Sequence, residues 1–149
     1  MINQAKRKKR FLTVTLVDLK NAFGEVHHNL IDTALRFHHV PEHMCQLTRN
    51  IYSQFYTAVA TDSFICDFIR IEKGVLQGDC LSPLIFNMVM NSFVQYITNE
   101  AFNSLGYRFA QSFRPRHWLQ FADDAAAITS LESENQILLN AFVRWCAWS

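Results

Sequence analysis

The sequence is short of the residues that interrupt regular structure, with only 4 glycines and 3 prolines among 149 residues, and only 18% of it is charged. Half of it is apolar, so a collagen-like or disordered chain is excluded and the chain can build a buried core. No stretch approaches the roughly 18 uninterrupted apolar residues of a membrane span, and no membrane partner is expected. The basic N-terminus has no long apolar segment behind it, because Thr13, Thr15 and Asp18 break up residues 11–18, so a cleaved secretory signal is not expected. Cys45, Cys66, Cys80 and Cys146 lie at least 14 residues apart and form no CxxC pair. They read as free thiols in a reducing, intracellular compartment. There is no internal repeat, low-complexity tract or dividing linker, which leaves a basic segment at 1–10 and one folded body at 11–149.

What is present is an uneven charge. The formal net charge of +1 hides five bases in Lys6–Arg10, and residues 11–149 carry 9 bases against 13 acids, a net of −4. A balanced total thus conceals a basic tip on a mildly acidic body, and the body does not advertise a nucleic-acid partner by charge. The Lys6–Arg10 run has the composition of a nuclear-localisation or phosphate-binding patch, with a solvated surface loop as the alternative.

Phe11–Val17 reads as a strand, and period-two parity puts Leu12, Val14 and Leu16 on the same face as Asp18. Residues 29–39 suit a helix that buries Leu30, Ile31, Ala34 and Leu35 and stops before Pro41. A second helix opening at Pro41 would present Met44, Leu47, Ile51 and Phe55 as its apolar stripe. Residues 56–61 and 64–71 read as two strands. Ser82-Pro83 reads as a helix opening with Ser82 as the cap, and the helix to about Ile97 is apolar on most of its surface. Asn87, Asn91 and Gln95 fall on one side of it, facing either solvent or a nucleic acid. Trp118–Phe121 and Ala125–Thr129 read as strands joined around Asp123-Asp124. Thr129 with Glu132 would make a capping box for a last helix burying Leu138, Ala141, Phe142 and Trp145.

The chemistry lies in acids and in one loop. Asp123-Asp124 sits inside an apolar run, where adjacent carboxylates repel and need a cation or an exposed turn. Asp18 ends an apolar strand, although it could instead cap the turn at 19–22. Two or three such carboxylates suit Mg²⁺, a hard ion that takes oxygen ligands and keeps positions for water and phosphate. Two ions about 3.5–4 Å apart serve in-line phosphoryl transfer. The loop Gly74-Val75-Leu76-Gln77-Gly78-Asp79-Cys80-Leu81-Ser82-Pro83 offers close backbone approach at Gly78 and a hydrogen-bonding amide at Gln77, or is simply a loop into a capped helix. His27-His28, His38-His39, His43 and Cys45 fit no zinc spacing and read as surface or hydrogen-bonded groups.

In this order, Asp18-Leu19-Lys20-Asn21-Ala22-Phe23, then Gly74 to Pro83 with Leu84-Ile85-Phe86-Asn87, then Phe121-Ala122-Asp123-Asp124, the chain resembles reverse transcriptases, most of all those of non-LTR (LINE-type) retrotransposons. The resemblance covers nearly all of 11–149 as a partial reverse transcriptase domain. It implies an α+β palm subdomain, an antiparallel sheet backed by helices, with fingers and thumb largely missing. It implies RNA-directed DNA polymerase activity by two-Mg²⁺ nucleotidyl transfer, with Mn²⁺ as a substitute ion. The expected partners are an RNA or DNA template with its primer and deoxynucleoside triphosphates. By that resemblance Asp18 and Asp123 match the principal metal ligands, Asp124 a peripheral third, and the Leu19 carbonyl a further one. Phe23 matches the aromatic gate against a 2′-hydroxyl. Gln77 and Gly78 match contacts with the nucleotide and template-primer, the amides of Lys20, Asn21 and Ala22 lie near the triphosphate, and Phe121 and Ala122 lie on the primer side. Gly24 departs from the family, which usually has an acid there. The rivals are an RNA-synthesising palm polymerase, against which Phe23 argues, and a catalytically inactive retrotransposon remnant that retains the motifs.

Overall fold

The computed structural model describes residues 2–110 and 114–149. In chain order they form helix α1 (Ile2–Lys8), strand β1 (Thr13–Val17), a 3-10 turn (Ala22–Gly24), helices α2 (His28–Phe37) and α3 (Glu42–Ser53) and the short strands β2 (Tyr56–Thr57), β3 (Ala60–Thr61), β4 (Phe64–Ile65) and β5 (Ile69–Arg70). Helix α4 (Ser82–Ile97), a 3-10 turn (Glu100–Phe102), strands β6 (Trp118–Phe121) and β7 (Asp124–Thr129) and helix α5 (Glu132–Trp148) complete the order. The chain is α+β with antiparallel sheets, and it divides into two compact units, residues 1–20 with 90–149, and residues 21–89.

The first unit is built on an antiparallel sheet of order β1-β7-β6. Its register pairs Val17 with Ala125 and Thr15 with Ala127 on one side of β7, and Trp118 with Ala127 and Phe121 with Asp124 on the other. Helix α5 packs on the face that carries Thr15 and Ala127. Asn135 of α5 is buried there, accepting from the Thr15 hydroxyl at 2.7 Å and donating to the Ala127 carbonyl at 3.1 Å. The alanines of β7 leave room for this approach, and a buried amide with both ends paired fixes which helix turn meets which strand residue. Beside it Phe93 of α4, fully buried, meets Trp118 and Phe142 edge-on, each at 4.9 Å between ring centres, and Trp145 at 5.5 Å. Edge-to-face contacts of this kind add to the area term of burying large rings.

The other face of the sheet corrects the expectation drawn from parity. Leu16 is 81% exposed and Val14 is also exposed, so the apolar side of β1 is the open side and the Thr13-Thr15-Val17 side is the covered one. Asp18 keeps the predicted company of Leu16, but on an open face. Coverage of that face is confined to the far end of the sheet, where Ala5 of α1, Tyr107 and Ile128 form a small core with Leu12, Phe109 and Ala126 packed against it. Helix α1 itself has no counterpart in the sequence expectation, which reads the basic run as a patch or loop. Gln4 and Lys8 donate to the Phe109 carbonyl and Arg10 to that of Arg108, which ties the segment down.

In the second unit α2 packs on α3, burying Leu30, Ile31, Ala34 and Leu35 as the spacing predicts. Helix α3 is turned by one residue from expectation. It buries Cys45, Thr48 and Tyr52 and leaves Met44, Leu47 and Ile51 exposed, because the His28 ring, 4.9 Å from Tyr52, and α2 meet that side. One residue is about 100° of helix, enough to exchange a covered stripe for an open one. The two predicted strands at 56–71 are instead the two-residue ladders β2-β5 and β3-β4. Two caps also differ. At α4 it is Asp79, not Ser82, that accepts the free amides, of Ser82 at 2.9 Å and of Leu81. At α5 no side chain caps the start, since Thr129 donates its hydroxyl to the Leu131 carbonyl at 2.7 Å.

Candidate active site

The acidic residues of the first unit gather at one end of its sheet. Asp18 directly follows β1, and continuing the antiparallel register one step past the pair Val17 and Ala125 sets it opposite Asp124. Asp124 in turn pairs with Phe121 across β6, so Ala122 and Asp123 form the tip of a two-residue hairpin. Asp18 and Asp124 are exposed and Asp123 is half-buried. Among the described residues no three His, Cys, Asp or Glu side chains converge tightly enough to hold an ion by themselves. Like charges resist closer approach until a cation lies between them. The donor set, hard carboxylate oxygens on an open edge with the Leu19 backbone beside them, fits Mg²⁺ or Mn²⁺ and no soft metal.

The hairpin tip is held in place rather than relaxed. Ala122 has φ 52°, in the left-handed region that a side chain disfavours by about 1–2 kcal/mol. Its carbonyl accepts from the Gln120 side-chain amide at 2.8 Å, and Gln120 accepts from the Trp118 indole at 3.1 Å. A relay of Trp118, Gln120 and Ala122 thus runs from the aromatic core to the acidic turn. Sequence reasoning missed Gln120, whose one signal was an amide inside an otherwise apolar strand. Phe121 beside the turn is 84% exposed.

In the second unit Phe23, Gln77 and Gly78 line one open cavity of about 230 Å³ together with Leu76, Asp79, Ser82 and Pro83. The Phe23 ring stacks on Phe86 at 4.4 Å and 12°, which fixes one wall. The 3-10 turn is clipped to the glycine loop by Gly74 N–H to the Val26 carbonyl at 2.7 Å and Val75 N–H to that of Phe23 at 2.8 Å. Gly74 has φ +98°, and a side chain there would press on the Gly24 backbone at 3.0–3.3 Å, so the loop requires glycine. Gly24, where the family carries an acid, is crowded by the Asn21 side chain, and any side chain at 24 would displace it. Asn21 is exposed with φ 53°, Ala22 is half-buried, and Lys20 is exposed. The histidines form no metal cluster among the described residues. His28 donates from Nε2 to the Gly74 carbonyl at 3.1 Å, and burial holds its imidazole below its ordinary pKa. Asn87 and Gln95 of α4 are exposed and Asn91 half-buried.

An α+β chain with an acidic strand end opposite a strained acidic hairpin matches one family along nearly its whole length. A reverse transcriptase (RNA-dependent DNA polymerase) family profile covers residues 2–149. The chain belongs to that family, and its relatives are of the non-LTR retrotransposon type. It is similar to the retrovirus-related Pol polyprotein from type-1 retrotransposable element R2 of Nasonia vitripennis, 37% identical over 92 residues, which is 62% of this chain and 9% of that protein. It is also similar to the Pol polyprotein from type-2 retrotransposable element R2DM of Drosophila melanogaster, 24% identical over 140 residues, or 94% of this chain and 13% of that one. The R2 polyprotein of Popillia japonica is 29% identical over 99 residues, 66% of this chain and 16% of the relative. The chain therefore spans between 9% and 16% of these curated relatives' length.

Proposed function

We propose that this chain is palm sequence of an RNA-directed DNA polymerase, with Asp18, Asp123 and Asp124 binding two Mg²⁺ ions and the Leu19 carbonyl completing the set. The observation that carries this is the register that faces Asp18 with Asp124 at the tip bearing Asp123. In the reaction a primer 3′-hydroxyl attacks the α-phosphorus of a deoxynucleoside triphosphate, an oxygen-phosphorus bond forms, and pyrophosphate leaves. Bound divalent ions would activate the attacking hydroxyl and neutralise charge on the leaving group. The protein's own part is to hold three carboxylates at one open end of the sheet, with the Gln120 amide fixing the turn that carries Asp123 and leads into Asp124. Phe23, fixed against Phe86, presents a rigid ring that a ribonucleotide 2′-hydroxyl would strike. Gln77 and Gly78 line the same cavity as Phe23 and would meet the incoming nucleotide and the template-primer, with the amides of Lys20 to Ala22 toward the triphosphate. Phe121 and Ala122 would meet the primer end.

Primer extension on an RNA template tests the reading, with these residues set in a complete polymerase that supplies fingers and thumb. Templated deoxynucleotide incorporation that Asp123→Asn abolishes and that Phe23→Ala extends to ribonucleotides is the expected result. A folded chain that incorporates nothing with Mg²⁺ or Mn²⁺ would favour the inactive remnant instead.

A further inference from the structure

The end of the first unit's sheet remote from the acidic turn carries the opposite charge. β6 begins at Trp118, about 10 Å of strand before Phe121 by the rise of extended backbone. There a cavity of about 530 Å³ is lined by Arg108, Arg114, Arg116 and His117, with Val94, Ile97, Thr98, Asn103, Pro115 and Trp118 and, among the described residues, no carboxylate. Residues 11–149 hold nine Lys and Arg, and three of them lie within 108–116 in a body whose net charge is −4. Arg36, Arg49 and Lys73, elsewhere, are engaged in ion pairs, whereas these three arginines form none among the described residues.

Two further observations converge on this surface. His117 is only 8% exposed; its Nε2 donates to the Ile97 carbonyl at 3.0 Å, leaving the buried Nδ1 with no partner. With Nε2 donating, Nδ1 is an acceptor, and a buried acceptor left unpaired is costly; beside an open cavity it has room for a donor such as an ordered water or a sugar hydroxyl. The basic N-terminal run is also brought here across roughly a hundred residues of sequence. Lys8 and Arg10 hydrogen-bond the carbonyls of Phe109 and Arg108, and Ala5 packs under Tyr107. Tyr107 and Arg116 pair as an antiparallel bridge, which sets Arg116 across from the segment whose Arg108 and Phe109 carbonyls hold the terminal bases.

We infer that this surface, made from the α1 end and residues 107–110 and 114–118, binds the phosphodiester backbone of a nucleic-acid strand at a place distinct from the acidic turn. Guanidinium forks suit phosphate oxygens, and Arg114 and Arg116, two residues apart in sequence and lining one cavity, can meet neighbouring phosphates of one strand. Binding of this kind is independent of base sequence, falls steeply with salt and needs no divalent ion. It therefore stands or falls separately from the polymerase reading.

The test is fluorescence anisotropy with a short labelled oligouridylate in EDTA over a range of salt. The expected result is that R108Q/R116Q weakens binding by about tenfold and lowers the slope of log affinity against log salt by about 1.4, or 0.7 for each lost phosphate contact. The charge-matched control R70Q/R144Q changes neither. Equal loss in the two double variants would overturn the assignment and leave a diffuse charge effect. Displacement of the oligouridylate by polyglutamate at equal charge concentration would overturn it in favour of an acidic polypeptide. If R108Q/R116Q does not fold by circular dichroism, the wild-type chain decides through crosslinking to 4-thiouridine RNA. Crosslinks within 2–10, 107–110 and 114–118 support the surface, and crosslinks confined elsewhere refute it.

Discussion

The two ends of the β1-β7-β6 sheet differ in charge, in cover and in how they are held. At one end Asp18, Asp123 and Asp124 stand on open backbone beside exposed Leu16 and Phe121. At the other, Arg108, Arg114 and Arg116 ring a cavity, and α1 covers the sheet through Ala5, Tyr107 and Ile128. The same three strands thus carry the proposed cation site at one end and the proposed anion site at the other. Two unlike charges at opposite ends of one rigid sheet suit a polyanion handled together with metal ions, and neither feature is visible in a net charge of +1.

The aromatic core around Phe93 is what keeps the two ends in fixed relation, so breaking it has the largest expected effect. Phe93→Ala removes a fully buried ring that meets Trp118, Phe142 and Trp145, and chemical denaturation should register a loss of about 3–5 kcal/mol. A loss below about 1 kcal/mol, the level of an ordinary surface change, would mean the rings do not form one core. Next comes the polar clasp between α5 and the sheet. Asn135→Ala strands the Thr15 hydroxyl and one lone pair of the Ala127 carbonyl and should cost about 1–3 kcal/mol. Asn135→Ala in a Thr15→Val background should cost less, and equal costs would show that the two groups are not coupled.

The smallest expected effect concerns the basic end and depends on pH. Burial, more than the neighbouring Arg116, holds the His117 imidazole below its ordinary value of 6.5, against the Ile97 carbonyl that raises it. The unfolded chain then takes up the proton more readily, so this contribution to stability is full above the ordinary value and is lost as pH falls below it. His28 shifts in the same direction from burial, so the informative quantity is a difference. Between about pH 7 and pH 5 the midpoint of urea unfolding should fall more for the wild type than for His117→Gln. Parallel falls would contradict a neutral buried His117.

Much of the acidic end was legible in the sequence because β-strands repeat with period two. The boundaries of β6, the acidic doublet at a turn and the parity of Asp18 with Leu16 all come from that period. What period cannot supply is which side receives a partner. Leu16 looks like core and is open, while Thr15 looks like surface and lies under Asn135, because α5 brings an amide rather than a methyl group to that face. The same limit explains α3, whose Thr48 is buried and whose Leu47 is exposed. Asp79 as the cap of α4 was hidden by the more familiar Ser-Pro opening next to it. Of the basic end only the Lys6–Arg10 run was legible; its junction with Arg108 and Phe109 was not, since no local pattern reports contacts across such a separation.

In the proposed site Asp18 and the Asp123-Asp124 turn bind divalent ions together. Titration of the 149-residue chain with Mn²⁺, followed by electron paramagnetic resonance, tests it directly. Binding is expected in the wild type, and Asp18→Asn and Asp123→Asn should each weaken it by more than the roughly 10–100-fold that loss of an outer-shell partner costs, with the fold unchanged by circular dichroism. Mn²⁺ affinity that is the same in the wild type and in the Asp18→Asn/Asp123→Asn double variant would contradict it.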